Sequence, residues 1–367
     1  MTMADDIREK QISRIVIEGY KSIEKCDLKL NSLNVLIGAN GAGKSNLISF
    51  FKLIGKIVDE QLQLAIGESG GPDAVLHFGR KKTEHLKAEL YFGNNGYKFS
   101  LIPTQDNRMM FEREALWWNV HGDWRARGGH FESYISEQKN RTNIYNYVIP
   151  AIMSWTLYHF HDTSSTATVK QIHSISDNEY LRQDGRNLAA FLYRLKLQYE
   201  SHYKRIVKTI RLVAPFFGDF HLRPTVSNPE KIQLEWIEAG QDEPFTASAL
   251  SDGTLRFICL VTVLLLPDDF MPATILIDEP ELGLHPYAIK VLASLIKSTA
   301  IDHQVIISTQ SVELLNEFSL EDLIVVDKIK GNSIFTRLES EKLSEWLDEY
   351  SLGELWKKNI IGGRPNR

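Results

Sequence analysis

Residues 38–45 read Gly-Ala-Asn-Gly-Ala-Gly-Lys-Ser, and this octet limits what the chain can fold into more than any other feature. It matches G-x-x-x-x-G-K-[ST], a loop that works only where a strand feeds it and a helix leaves it. Both flanks are present. Leu33 to Ile37 is a short apolar run, and beyond Ser45 the residues Leu47, Phe50, Phe51, Ile54 and Ile57 recur at helical spacing. Glycines let backbone N–H groups turn inward, and the start of the following helix directs positive partial charge at phosphate. Gly38, Asn40, Gly41, Ala42, Gly43, Lys44, Ser45 and Asn46 are therefore candidate nucleotide-binding residues. Lys44 is also a catalytic candidate, placed to neutralise β- and γ-phosphate oxygens, and Ser45 is a candidate Mg2+ ligand. A Gly-rich turn capping an ordinary helix is the alternative for the octet taken alone.

A second apolar run, Thr274-Ile275-Leu276-Ile277, ends in Asp278-Glu279. A buried strand delivers such acids to the carboxyl edge of a sheet, where ligands of open α/β sheets sit. Asp278 is the second metal candidate, and Glu279 is the candidate that polarises an attacking water. A third feature, Ala249-Leu250-Ser251-Asp252-Gly253-Thr254, leads into a strongly apolar stretch. Ser251 and Gly253 at a helix start make another anion-ready terminus. One nucleotide does not need two such cradles, so the economical reading has this loop cap the γ-phosphate of ATP held by a second subunit. A plain helix cap is the competing reading.

The chain has 367 residues, 43% of them hydrophobic, too long for one small domain. Its elements suggest an N-terminal lobe over 1–111 with the phosphate loop and an antiparallel ribbon, where two β-rich runs flank Asn94-Asn95-Gly96. A mostly helical insert is expected over 112–230, a second lobe over 231–340, and a C-terminal helix and tail over 341–367. In the second lobe Ile232, Leu234 and Trp236 alternate as one strand would. Leu343, Trp346, Leu347 and Tyr350 fall on one face of a final helix, and Gly362-Gly363-Arg364-Pro365 cannot continue it. Too few residues follow the second lobe for a further module with its own sheet.

Net charge is -5 and the sequence pI about 6.1, so any nucleic-acid contact must use a local patch. Lys204, Arg205, Lys208 and Arg211 make one, opposite Ile206, Val207 and Ile210; it reads as a solvated helix face or as a DNA-backbone contact. His159, His161 and Asp162 lack a placed third metal ligand. Cys26 and Cys259 have no metal spacing and read as packing residues of a reducing cytosol. Met1 to Lys10 is polar, and the most apolar run, Phe257 to Leu266, is about half a membrane span. A cytoplasmic protein without membrane contact is the expectation.

The order of phosphate loop, insert, Leu-Ser-Asp-Gly-Thr and Ile-Asp-Glu-Pro-Glu-Leu-Gly-Leu-His-Pro resembles ABC-type ATPases of the SMC and RecF branch. More closely it is similar to stand-alone bacterial ATPases of the AAA_21 or AAA_15 kind, which share their core with overcoming-lysogenization-defect nucleases. Gly19-Tyr20-Lys21-Ser22 resembles the aromatic-basic-Ser element after their first strand. The likeness covers about two-thirds of the chain. It implies an α/β ABC-ATPase P-loop fold with split nucleotide-binding lobes and an inserted, mostly helical region. It further implies ATP and Mg2+ as cofactors, and Ser251 and Gly253 contacting ATP across a homodimer or higher oligomer. Leu282 to Pro286 corresponds to the loop that crosses that interface. A separate effector controlled by ATP-driven dimerisation, in bacterial anti-phage defence, is the implied role. A RecF-like DNA-binding ATPase of recombination or repair, and a nucleotide-dependent scaffold with little hydrolysis, are the competing roles. Two departures stand out. Many relatives carry His where this chain has Gln310, a catalytic candidate whose amide donates a hydrogen bond but moves no proton or charge, so slow turnover is expected. The lobe-connecting glutamine is not obvious, with Gln105 as its candidate.

Overall fold

A computed structural model describes residues 10–139, 141–338, 346 and 349–363. Leu343 and Leu347, expected on a last amphipathic helix, lie outside the described residues. The chain begins with β1 (Arg14–Tyr20), β2 (Ile23–Lys29), β3 (Leu33–Ile37), α1 (Lys44–Val58), α2 (Leu62–Glu68) and α3 (Pro72–Val75). Next come β4 (Leu86–Phe92), β5 (Asn95–Pro103), β6 (Met109–Trp118), β7 (Gly122–Arg127), α4 (Asn143–Met153), β8 (Trp155–Tyr158) and β9 (His173–Ser174). Then follow α5 (Leu188–Gln198), α6 (Glu200–Val213), β10 (Phe217–Phe220), β11 (Pro224–Thr225), β12 (Asn228–Ile232), β13 (Glu235–Glu238) and β14 (Pro244–Thr246). The chain ends with α7 (Asp252–Leu264), β15 (Thr274–Asp278), α8 (Pro286–Thr299), β16 (Gln304–Thr309), α9 (Val312–Leu315), β17 (Leu323–Ile329), β18 (Asn332–Arg337) and α10 (Leu352–Lys357).

These elements form two compact units, one of Met1–Trp155, Pro272–Leu276 and Asp302–Arg367, the other of Thr156–Met271 and Ile277–Ile301. The first unit holds two sheets. An antiparallel sheet runs β2-β1-β4-β5-β6-β7, and a second runs β18-β17-β3-β16 and continues into Thr274–Leu276 of β15. Parallel strands covered on both faces lose the two-residue alternation, which is why every residue of β3 is buried. β3 pairs in parallel with β16 and β17, and in that register Thr309, Ile37 and Val325 lie level. Three strands therefore release their chains at one carboxyl edge.

At the other end of this sheet the buried amide of Gln304 uses both of its heavy atoms. Its Oε1 accepts from the backbone N–H of Ile12 (3.2 Å) and the Thr274 hydroxyl (3.1 Å), and its Nε2 donates to the carbonyls of Ile12 and Asn31 (both 2.9 Å). α1 buries Leu47, Ile48, Phe50, Phe51, Leu53, Ile54, Ile57 and Val58, the stripe that its apolar spacing foretells. The hairpin expected at Asn94-Asn95-Gly96 exists, but its turn is Gly93-Asn94, and β5 already begins at Asn95, opposite Phe92.

The second unit packs α5, α6, α7 and α8 with two small sheets, β10-β13-β14 and β11-β12-β9. The run at Ile232, Leu234 and Trp236 is not one strand. β12 pairs with β9 and β11, whereas β13 pairs with β10 and β14, so the chain changes sheet at Gln233-Leu234. In α7 every residue from Leu255 to Leu264 is buried, as the apolar run requires. Among the described residues no helix is long and apolar enough to cross a membrane. Both cysteines are buried free thiols, and burial pushes each up to about 12.

One buried acid gives the first unit a pH dependence. Glu114 of β6 accepts from the Ser133 hydroxyl (2.5 Å), the Tyr134 backbone N–H (3.0 Å) and the Tyr97 hydroxyl. Burial is the largest influence on it and raises its pKa above the ordinary carboxylate value, against the lowering by these donors. A folded-state pKa above the unfolded one means that this group's contribution is complete below about pH 4.3 and is lost as pH rises through the folded value. Chemical denaturation of wild type and Glu114→Gln across pH 4 to 8 should show the variant gaining on wild type as pH rises.

Candidate functional site

In the first unit β3 leads into the octet and α1 leaves it. Gly41 and Gly43 adopt φ of 75° and 118°, a region that L side chains rarely enter. A Cβ on Gly43 would also overlap the Ser333 hydroxyl. The loop is propped from beside. Ser333 of β18 donates to the Ala42 carbonyl (2.5 Å) and shares a hydrogen bond with Ser22 (2.6 Å), which accepts from Asn46 Nδ2 (2.5 Å). Tyr20 and Lys21 both reach Ser49 on α1, at 2.9 and 3.0 Å, so Gly19-Tyr20-Lys21-Ser22 clasps the helix start. Burial lowers the Lys21 pKa, with Lys52 adding to the effect.

Lys44 is buried, and its ammonium donates to the carbonyls of Gly38 (2.6 Å) and Ala39 (3.2 Å). Ser45, next along, is exposed. Gln310 follows Thr309, and Thr309 stands opposite Ile37 just before the octet. Gln310 thus leaves β16 beside the loop's entry. Gln105 is exposed in the turn between β5 and β6.

In the second unit the Ser251 hydroxyl caps α7, accepting from the Thr254 N–H at 3.2 Å. Asp252 and Gly253 follow, and a Cβ on Gly253 would overlap the Gly283 carbonyl. Asp278 ends β15, and Glu279 has φ 45°. A left-handed conformation in a residue with a Cβ costs about 1 kcal/mol, and such strain clusters where function over-determines the backbone. Leu282 N–H then bonds to the Glu279 carbonyl (3.2 Å) and Leu284 N–H to the Glu281 carbonyl (3.0 Å), turning the chain toward α8. Leu282 and Tyr287 are about half exposed, at 47% and 50%.

Two cations that motif reading does not single out organise this region. Arg256 of α7 is 6% exposed, donating to the carbonyls of Phe160 (2.8 Å), His161 (3.1 Å) and Leu282. Burial lowers its pKa. The buried Lys170 holds the Thr163 carbonyl (2.6 Å) and stands 3.7 Å from Asp252, placing positive charge at the start of α7. Phe160, His161, Arg256, Leu260, Ile277, Asp278, Glu279 and Pro280 enclose a cavity of about 10 Å³, room for about one water. Asp162 binds its own loop through Ser164 (2.7 Å), and among the described residues no group of three metal-type side chains exists. Lys204, Arg205, Lys208 and Arg211 are all exposed on α6; Lys204 pairs with Glu200 (2.7 Å) and Arg211 holds the Gly218 carbonyl (2.8 Å).

A glycine cradle between a buried parallel strand and a helix, in a mixed α/β fold, is matched by comparison with known proteins. The model of the AAA_21 family, described as "AAA domain, putative AbiEii toxin, Type IV TA system", matches residues 33–316. The chain belongs to this family of ATPases. The Old nuclease of Escherichia phage P2 is 25% identical over 386 residues, covering 91% of this chain and 62% of the nuclease. The chain thus spans about 62% of that relative's length. Among solved structures, an Smc head bound to the C-winged helix domain of ScpA superposes with a TM-score of 0.61 at 18% identity, covering 91% of this chain and 99% of that one. A Pyrococcus furiosus Smc head with an extended coiled coil, bound to the C-terminal domain of ScpA, gives 0.57 at 17% identity, covering 92% and 98%. The fold of this AAA_21 protein is therefore that of the SMC-type ABC ATPase heads.

Asn46, Ser22, Ser333 and the Ala42 carbonyl form one hydrogen-bonded chain, so removing either serine should disturb the same structure. Ser22→Ala and Ser333→Ala are each expected to destabilise by about 1 to 2 kcal/mol. The double variant should fall short of their sum by at least about 0.5 kcal/mol, measured by urea denaturation. Strict additivity would mean that the props act separately.

Proposed function

We propose that this chain is an ATP-binding, ATP-hydrolysing subunit, two copies of which close on ATP and Mg2+ and thereby regulate a separate effector in bacterial anti-phage defence. The observation that carries the reading is the phosphate loop itself. Gly41 and Gly43 occupy left-handed conformations between β3 and α1, and Lys44 rests on carbonyls it can exchange for phosphate oxygens. Gly38, Asn40, Gly41, Ala42, Gly43 and Asn46 form the cradle. Ser45 and Asp278 hold Mg2+, Glu279 polarises the attacking water, and Gln310 donates to the γ-phosphate. Ser251 and Gly253 cap the γ-phosphate of the second copy. The exposure of Ser251 and of the Leu282 turn supports their facing another molecule.

A magnitude makes ATP-driven closure reasonable. A hydrogen bond to a charged group contributes roughly 1.5–3 kcal/mol, so two or three per site reach about 5 kcal/mol. Moving a population from 1:99 to 99:1 needs about 5.5 kcal/mol, which two composite sites exceed. The family description, with its toxin and type IV toxin–antitoxin wording, supports a conflict system. The likeness to Old nuclease supports coupling of such an ATPase to an effector. Buried free thiols suit the reducing cytoplasm.

A RecF-like role is favoured by one observation, the exposed basic face of α6. If it holds, duplex DNA binding by the purified protein will weaken steeply with salt, and charge reversal of Lys204 and Lys208 will abolish it. The scaffold reading, with Gln310 as its hint, requires negligible phosphate release.

Glu279→Gln should bind ATP, lose phosphate release by at least a hundredfold, and accumulate the closed dimer. Sedimentation velocity that is the same with and without ATP would sink the proposal. Gly253→Val should bind ATP near normally yet neither dimerise nor turn over; persistent hydrolysis would show that this loop is not the γ-phosphate cap.

A further inference from the structure

The phosphate loop is held on its entry side by a segment more than 300 residues away in sequence. Ala39 N–H donates to the Gly363 carbonyl at 2.7 Å, and Gly363 N–H donates to Asp327 Oδ1 at 2.7 Å. Asp327 lies on β17, two residues beyond Val325, which pairs with Ile37. Val326, between them, packs so closely on Gly38 that a Cβ there would overlap its carbonyl. Strand end, glycine pair and loop entry thus form a closed triangle.

Gly362 and Gly363 are shaped for this contact. Their φ angles are 81° and 80°, which L side chains rarely adopt. A Cβ on Gly362 would stand 2.8 Å from Asp327 Oδ2. One on Gly363 would stand 3.1 Å from Trp356 Nε1 and 3.4 Å from the Gly38 Cα. The preceding chain is anchored. α10 carries a capping box between Ser351 and Glu354, its Gly353 N–H bonds Asn316 Oδ1 (2.7 Å), and Leu352, Leu355 and Ile361 are buried. A docked helix therefore holds one end of the glycine pair, and Asp327 holds the other.

We propose that Gly362-Gly363, fixed by Asp327, is a strap that positions the phosphate loop and so sets how tightly a nucleotide's phosphates are held. This rests on the nucleotide reading of residues 38–45 and adds positioning residues to it. Lys44 binds the carbonyls of Gly38 and Ala39 and must leave them to reach phosphate. The strap engages the opposite side of the same dipeptide, its N–H, and keeps the loop entry in place when the lysine departs. It has no part in γ-phosphate chemistry. ADP and ATP should feel its loss equally.

The test uses the full chain and fluorescent ADP and ATP analogues. Asp327→Ala and Gly363→Val should each raise the Kd for both nucleotides about tenfold, with kcat at saturating ATP changed less than twofold. The nucleotide-free melting temperature should stay near that of wild type for Asp327→Ala, which carries the test if Gly363→Val folds poorly. Asp327→Asn keeps an acceptor oxygen and should restore near-wild-type affinity. Unchanged Kd in folded Asp327→Ala, an effect confined to ATP, or a kcat loss matching the affinity loss would each overturn the strap alone. A wild-type chain that binds neither nucleotide would bring down the nucleotide reading, and the strap with it.

Discussion

The parallel register of β3 with β16 and β17 is the constraint on which the first unit depends. With Ile37, Thr309 and Val325 level, the residues after them, Gly38, Gln310 and Val326-Asp327, must emerge together. A slip of one residue would reverse the facing of every side chain in the strand, and both faces of β3 are buried. Buried polar groups reinforce the alignment from the other end, where Gln304 satisfies Ile12, Asn31 and Thr274 at once. A buried amide so fully matched tolerates few alternatives, because any shifted pairing leaves donors and acceptors without partners. Position of the glycine loop is thus a property of the whole sheet.

Backbone conformation supplies the second layer of organisation. Gly41 and Gly43 lie where glycine is at ease, whereas Glu279 sits in the left-handed region despite its side chain. The burden is modest against the stability of a folded domain, and the turn from β15 toward α8 fixes it through hydrogen bonds from Leu282 and Leu284. Gly253 answers a different need. Its own φ is ordinary, but the Gly283 carbonyl lies where a side chain would go, so one glycine permits a turn and the other a close approach.

Much of this was legible because strong local signals coincided. The octet, the run of Leu33 to Ile37 and the spacing of Leu47, Phe50, Phe51 and Ile54 all name one strand–loop–helix unit, and β3 and α1 occupy those positions. The buried helix at Phe257 to Leu264 was readable from an apolar run that only Thr262 interrupts. β2 was not, since Ile23, Cys26 and Leu28 obscure a two-residue alternation. The change of sheet at Gln233-Leu234 was invisible because alternation reports a strand's faces and not its partners. Ser333, Asp327 and Lys170 carry no local signature at all; they matter through neighbours far away in sequence. Arg256 left a faint trace, a cation heading the apolar stretch of its helix, and Gly362-Gly363 another, a doublet that reads only as the end of a helix until its partners are known.

Arg256 has a mechanical consequence. Its guanidinium joins the turn at Leu282 to the stretch at Phe160 and His161, and it belongs to the helix that Ser251 begins. A buried cation cannot give up one carbonyl cheaply, because the abandoned N–H loses a charge-assisted partner in a site with room for about one water. The helix that Ser251 begins, the Leu282 turn and the stretch at Phe160 and His161 are therefore knotted by a single side chain, and displacing any one of them strains the same three hydrogen bonds.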